Sequence, residues 1–105
     1  MKEFLAWLAK YYPDGDPGEY YNVSGYSYAQ TLVQVLKQCG DDLTRENLLK
    51  QATNMKGKHF KMMLPGIALN TSPEDYTPYQ SLRMAKFDGS SWKLTDEPAT
   101  SASAK

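Results

Sequence analysis

The sequence predicts an α+β fold in which about three helices come first and short strands with a C-terminal β-hairpin follow. Two observations carry that reading. Through Met55 the apolar residues recur at helical spacing, whereas beyond His59 the chain turns to short apolar runs and period-two alternation between turn-forming segments. A length of 105 residues allows one domain with a thin core. That domain is expected over residues 1–96, with 97–105 as a mobile tail.

The first helix is predicted over about 2–12. Phe4, Leu5, Leu8, Tyr11 and Tyr12 share one face, Trp7 lies on its margin, and Pro13 stops it. Asp14-Gly15-Asp16-Pro17-Gly18 is a turn-rich connector. Its acidic spacing resembles a calcium loop, but Glu19 stands where that loop needs glycine and Gly25 where it needs a bidentate glutamate, so calcium is excluded.

The second helix is predicted over about 24–39 with Ser24 as N-cap. Ala29, Leu32, Val33 and Leu36 form its apolar stripe, widened by Tyr28, Val35 and Cys39, and Gly40 ends it. A face that wide predicts a helix covered on more than one side. The third helix is predicted over about 44–55. Thr44 is its N-cap, Leu43 and Leu48 are spaced as a hydrophobic staple, and Leu48, Leu49, Ala52 and Met55 make the buried stripe before Gly57.

Strands are predicted at about 67–69, 80–87 and 92–95. Pro65-Gly66 is a turn, 70–78 a polar loop, and Asp88-Gly89-Ser90-Ser91 a four-residue hairpin loop. Leu82 with Met84, and Trp92 with Leu94, supply alternating faces.

Charge narrows the function classes. Twelve basic and twelve acidic residues cancel, leaving no basic excess of the kind that binds nucleic acid. Lys56, Lys58, His59 and Lys61 read as a solvated loop. Cys39 is the single cysteine, so an internal disulfide is impossible, and its place on the apolar stripe marks it as a small buried hydrophobe. No run reaches the roughly 20 apolar residues of a membrane span. Met1-Lys2-Glu3-Phe4 lacks the features of a signal peptide. As written, the polypeptide is expected in the cytoplasm unless a signal was removed or never included.

No catalytic residues are expected. His59 lies in a lysine-rich loop and Cys39 inside a helix, so neither activates the other. One histidine and one cysteine fall short of a four-ligand zinc site, phosphate-binding glycine loops are absent, and no cofactor is expected. The acid pairs Asp41/Asp42, Glu74/Asp75 and Asp96/Glu97 read as solvated loop residues. Asn22-Val23-Ser24 and Asn70-Thr71-Ser72 match the glycosylation pattern, which is too short to carry weight.

Eight tyrosines are the one oddity of composition, and six surround the junction of the first two helices: Tyr11, Tyr12, Tyr20, Tyr21, Tyr26 and Tyr28. Such residues either complete the packing between helices or line a pocket or interface. The segment from Tyr20 to Ser24 leads into a helix N-terminus, where free N–H groups favour an anion.

The run from Tyr21 through Tyr26 and Tyr28 to Leu32, continuing over 36–40, resembles the C-terminal third of periplasmic solute-binding proteins. The subgroup is that of branched-chain amino-acid (Leu/Ile/Val) ABC transport. Leu64-Pro65-Gly66-Ile67, Asn70-Thr71-Ser72-Pro73-Glu74-Asp75-Tyr76 and Phe87-Asp88-Gly89-Ser90-Ser91-Trp92 resemble the same proteins further along. Each motif is weak alone; their ordered series, over about residues 1–96, is specific.

The resemblance implies the last part of a two-lobed, type I periplasmic-binding fold, with the ligand enclosed between lobes. The strands that make most ligand contacts would lie upstream, so the family's amino-acid clamp cannot be placed on this chain. One contact carries over by position: Val23, flanked by Tyr21 and Asn22, where the family often has a large aromatic. Val23 departs from that, which makes aromatic acids an alternative ligand class to branched-chain amino acids. The resemblance further implies an ABC permease partner and the periplasm. A broad apolar face without its sheet predicts a homo-oligomer. The alternative function is a small tyrosine-rich module that binds a protein partner.

Overall fold

The computed structural model describes residues 1–100, and side-chain surroundings through residue 95. Its elements are α1 (Lys2–Tyr11), α2 (Tyr20–Cys39), α3 (Arg45–Ala52), β1 (Ser81–Phe87) and β2 (Trp92–Thr100). Helices followed by an antiparallel pair make it α+β, the class the sequence predicts. By its contacts the chain falls into two compact units, where patterning treats 1–96 as one domain. The first comprises Met1–Gln51 with Phe60–Met62, the second Ala52–His59 with Met63–Lys105.

In the first unit, α2 begins four residues before the expected start. Glu19, not Ser24, is its N-cap, and Ser24 lies inside the helix. The connector explains this. Gly15 N donates to Tyr12 O at 2.9 Å and Glu19 N to Asp16 O at 3.2 Å, and Asp16 Oδ1 accepts from Gly18 N at 2.8 Å. The turn is therefore complete at Glu19, whose carbonyl receives Asn22 N and Val23 N at 3.1 and 3.4 Å. Thr44 caps α3 as expected, its Oγ1 accepting from Asn47 N at 3.3 Å.

The core of this unit is Phe4, Leu8, Val35 and Cys39. Tyr26 places its ring 5.3 Å from Phe4 and 5.1 Å from Trp7, an aromatic cluster that ties α1 to α2. Leu5, Tyr11 and Tyr12, expected on the same buried face, are exposed.

The apolar stripe of α2 is turned the other way from expectation. Tyr28 is 64% exposed, Leu32 54%, Val33 49% and Leu36 40%, while Val35 and Cys39 are buried. The packed side carries Ser27, Thr31, Gln34 and Gln38, all half-buried. Their polar groups find partners locally: Ser27 Oγ donates to Val23 O at 2.9 Å and Thr31 Oγ1 to Ser27 O at 3.0 Å. Gln34 Nε2 donates to Gln38 Oε1 at 3.1 Å, and Gln38 Nε2 to Gln51 O at 3.5 Å. Satisfied in this way, small polar residues can line a packed face at little desolvation cost.

The expected third helix, which lies in the first unit through Gln51, stops at Ala52, where the second unit begins, rather than at 55. Thr71 is the cause. Its Oγ1 donates to Ala52 O at 2.7 Å and accepts from Met55 N at 3.0 Å, and Thr71 N donates to Met55 O at 2.8 Å. Backbone groups that would extend the helix are committed to residue 71 instead. Met55 is buried, with Ile67 and Leu69, as the core of the second unit. No residue of α3 is buried, and Leu43 and Leu49, expected to pack, are exposed.

The strand expected at 67–69 reduces to bridges at Leu69, which pairs with Lys58 and with Tyr79. Gly66, at φ 82°, folds the chain so that Ile67 N reaches Leu64 O at 3.1 Å. Only a short extended piece is left. The hairpin forms as expected around its four-residue loop, with Phe87 opposite Trp92 and their rings 5.3 Å apart. Asp88 Oδ1 accepts from Ser90 N at 2.9 Å and Ser91 N at 2.8 Å, closing the loop.

β2 continues past Thr95 to Thr100, and Thr100 pairs with Ser81. Residues 97–100 thus belong to a strand, and only 101–105 of the expected tail lie outside the described residues. A register shift lies between Arg83 and Ala85. Arg83 Nη2 spans it to Thr95 O at 2.8 Å.

Candidate functional site

Tyr21, Asn22 and Val23, expected to precede the long helix, form part of its first turn. Successive helical residues point about 100° apart, so three in a row cannot converge on one ligand. Tyr21 is 78% exposed, its ring 5.6 Å from that of Tyr20. Asn22 is half-buried and its Nδ2 donates to Asp16 O at 2.8 Å, a structural engagement that holds the connector against α2. Val23 is also half-buried. Of the three, Tyr21 is the side chain free to meet a ligand or partner.

The electrostatics at this helix start oppose the anion that sequence reasoning favoured. Glu19 makes no side-chain capping bond, and Asp14 and Asp16 stand on the connector that enters the helix. Three carboxylates beside one N-terminus offset its positive end. A cationic group, such as the ammonium of an amino acid, is better suited to that surrounding.

A shallow apolar depression of about 210 Å³ is lined by Leu5, Leu8, Ala9, Pro13, Gly15 and Pro17. It suits an aliphatic or aromatic side chain, yet none of Tyr21, Asn22 and Val23 lines it. A Cβ added at Gly15 would come within 2.5 Å of the Tyr12 ring, so glycine is needed for that wall.

His59 Nδ1 lies 2.9 Å from the Ile67 carbonyl, which only accepts, so the ring donates there and is occupied structurally. Cys39 is buried. Among the described residues no group of three or more His, Cys, Asp or Glu could hold a metal ion, and no helix is long and apolar enough to cross a membrane.

Of the carboxylates whose pKa falls below the ordinary value, Asp88, Asp75 and Asp42 are turn-makers and Glu3 is an ion-pair partner on α1. Asp88 is held down by backbone N–H donation from Ser91 and Ser90, and Asp75 by that of Thr77. Asp42 is held down by the Thr44 hydroxyl and N–H, and Glu3 by the Lys61 ammonium.

What sequence reasoning missed is the polar side on which α2 packs within the chain. Tyr21, Tyr28, Leu32, Val33 and Leu36 form an exposed band along a 20-residue helix. The signal was present. Ser27, Thr31, Gln34 and Gln38 recur at helical spacing too, and such polar residues can take the packed side when the helix satisfies them.

Compared with known proteins, the chain matches no protein-family model, no curated protein and no solved structure.

Proposed function

We propose that the chain is a non-catalytic part of an ABC-transport solute-binding protein that takes branched-chain amino acids or related small aromatic acids. The reading rests on the ordered residue series from Tyr21 to Trp92. One structural observation supports it above the others. The apolar band of α2 is exposed, as a helix is when the sheet it covers belongs to another part of the protein. Tyr21 is the ligand-facing side chain, Asn22 supports it from the connector, Val23 backs it from the packed side of the helix, and an ABC permease is the downstream partner. Periplasmic work follows from the same reading.

The negative approach at Asp14, Asp16 and Glu19 fits the ammonium of an amino acid better than a simple aromatic acid, and amino acids are therefore the preferred class. A thermal-shift series tests it: leucine, isoleucine, valine and phenylalanine against benzoate and phenylacetate. A ligand that binds the folded chain raises Tm by mass action. The proposal requires a rise with at least one amino acid that Tyr21→Ala removes. No rise with any of them contradicts ligand binding by this chain.

A second reading, a small interaction module, draws on the tyrosines. Tyr11, Tyr12, Tyr20, Tyr21, Tyr28 and Tyr76 are all exposed, which suits protein contacts. It gains ground if the ligand series is silent while the chain still associates.

A further inference from the structure

The exposed band of α2 has an internal symmetry. Tyr21 and Leu36, Gly25 and Leu32, Tyr28 and Ala29 are each equidistant from a point midway between residues 28 and 29. All six are exposed. Each pair sets a large side chain against a smaller one, or tyrosine against leucine. A Cβ added at Gly25 meets nothing within 4 Å, so the helix has an open notch there. Glycine within a helix ordinarily costs stability relative to alanine, and a notch that receives a partner's side chain offsets that cost.

Charge follows the same symmetry. Lys37 is the single charged residue in α2, near its C-terminal end, and Glu19 caps the other end. Both are exposed, and no ion pair is found for either among the described residues. They lie on the same flank of the band, eighteen positions apart, five helical turns at 3.6 residues each.

We infer that a second copy of this chain covers the band, the two α2 helices running antiparallel about a two-fold axis between Tyr28 and Ala29. In that register Leu32 enters the notch at Gly25 of the partner, and Leu36 meets Tyr21 of the partner. Glu19 of each copy stands within one residue's rise of Lys37 of the other, giving two equivalent ion pairs at the ends. A band free of other charges brings no like charges together at its centre, and antiparallel helix dipoles attract. A second copy therefore satisfies shape and charge with the same residues. Tyr21 is common to this interface and to the proposed ligand site, whereas Gly25, Leu32 and Leu36 belong to the interface alone, so variants at those positions test the inference apart from ligand binding.

Sedimentation velocity at tens of micromolar tests it with five proteins. The wild type sediments at twice 11.9 kDa. Leu32→Lys sediments as a monomer with unchanged helical circular dichroism, because the charge falls in the notch of the partner. Leu43→Lys, an equally drastic change at another exposed leucine, leaves the dimer intact. Glu19→Lys weakens association by about two- to tenfold, since exposed pairs are individually weak and two are lost. Adding Lys37→Glu to it restores the wild-type value. A monomeric wild type overturns the inference, as does a Leu43→Lys variant as disrupted as Leu32→Lys. Failure of the double charge reversal to restore association overturns the antiparallel register.

Discussion

Thr71 does more for the fold than its half-exposed position on a loop announces, because one hydroxyl serves both Ala52 O and Met55 N. Replacing it by valine keeps the shape and removes both bonds. Thr71→Val is expected to cost about 1–3 kcal/mol in urea unfolding, most of it from the stranded backbone groups. Phe4, 1% exposed beneath the Tyr26 ring, is the corresponding apolar position. Phe4→Ala is expected to cost about 3–5 kcal/mol in the same measurement. At this scale the sequence was legible where a residue acts on its near neighbours. Thr44 is readable as a cap because its partner, Asn47 N, is three residues on. Thr71 is not, because its partners lie 19 and 16 residues away and no local pattern encodes them.

Elements divide along the same line. The hairpin was legible because Asp88-Gly89-Ser90-Ser91 closes by contacts within its own four residues. It should also be sensitive to acid. The Asp88 pKa is lowered in the fold by the N–H groups of Ser91 and Ser90, so its contribution is present above the ordinary value of 3.8 and is lost as pH falls through the lower folded value. Asp75 and Asp42 shift in the same direction. Protection of the Ser90 and Ser91 amides, measured by NMR relative to the intrinsic exchange rate at each pH, is therefore expected to fall as pH drops below about 3.8, with Asp88→Ala already unprotected at neutral pH. α2 shows the opposite case. Its existence and C-terminal end at Gly40 were readable, but its orientation was not. An apolar stripe states which side of a helix avoids water, not whether this chain supplies the cover.

For the whole molecule the class was legible, since helical and alternating periods occupy separate halves of the sequence. The division into two units was not. It depends on residues 60–62 joining the N-terminal unit while 52–59 join the other, a long-range choice without a local signature. The candidate site was legible least of all: Tyr21, Asn22 and Val23 occupy consecutive positions on one helical turn, and of the three only the tyrosine is exposed.

What unites the account is that α2 presents its apolar side to be covered. The most direct measurement is disulfide trapping of single cysteines placed along that side, in a background where Cys39 is replaced by alanine. Ala29→Cys lies beside the two-fold axis and is expected to cross-link to itself. Leu36→Cys is expected not to, because the antiparallel register separates the two copies of residue 36 by about 22 Å along the helix. Tyr21→Cys mixed with Leu36→Cys should cross-link. Self-trapping of Leu36→Cys with the efficiency of Ala29→Cys, or no trapping at any position, would contradict the account.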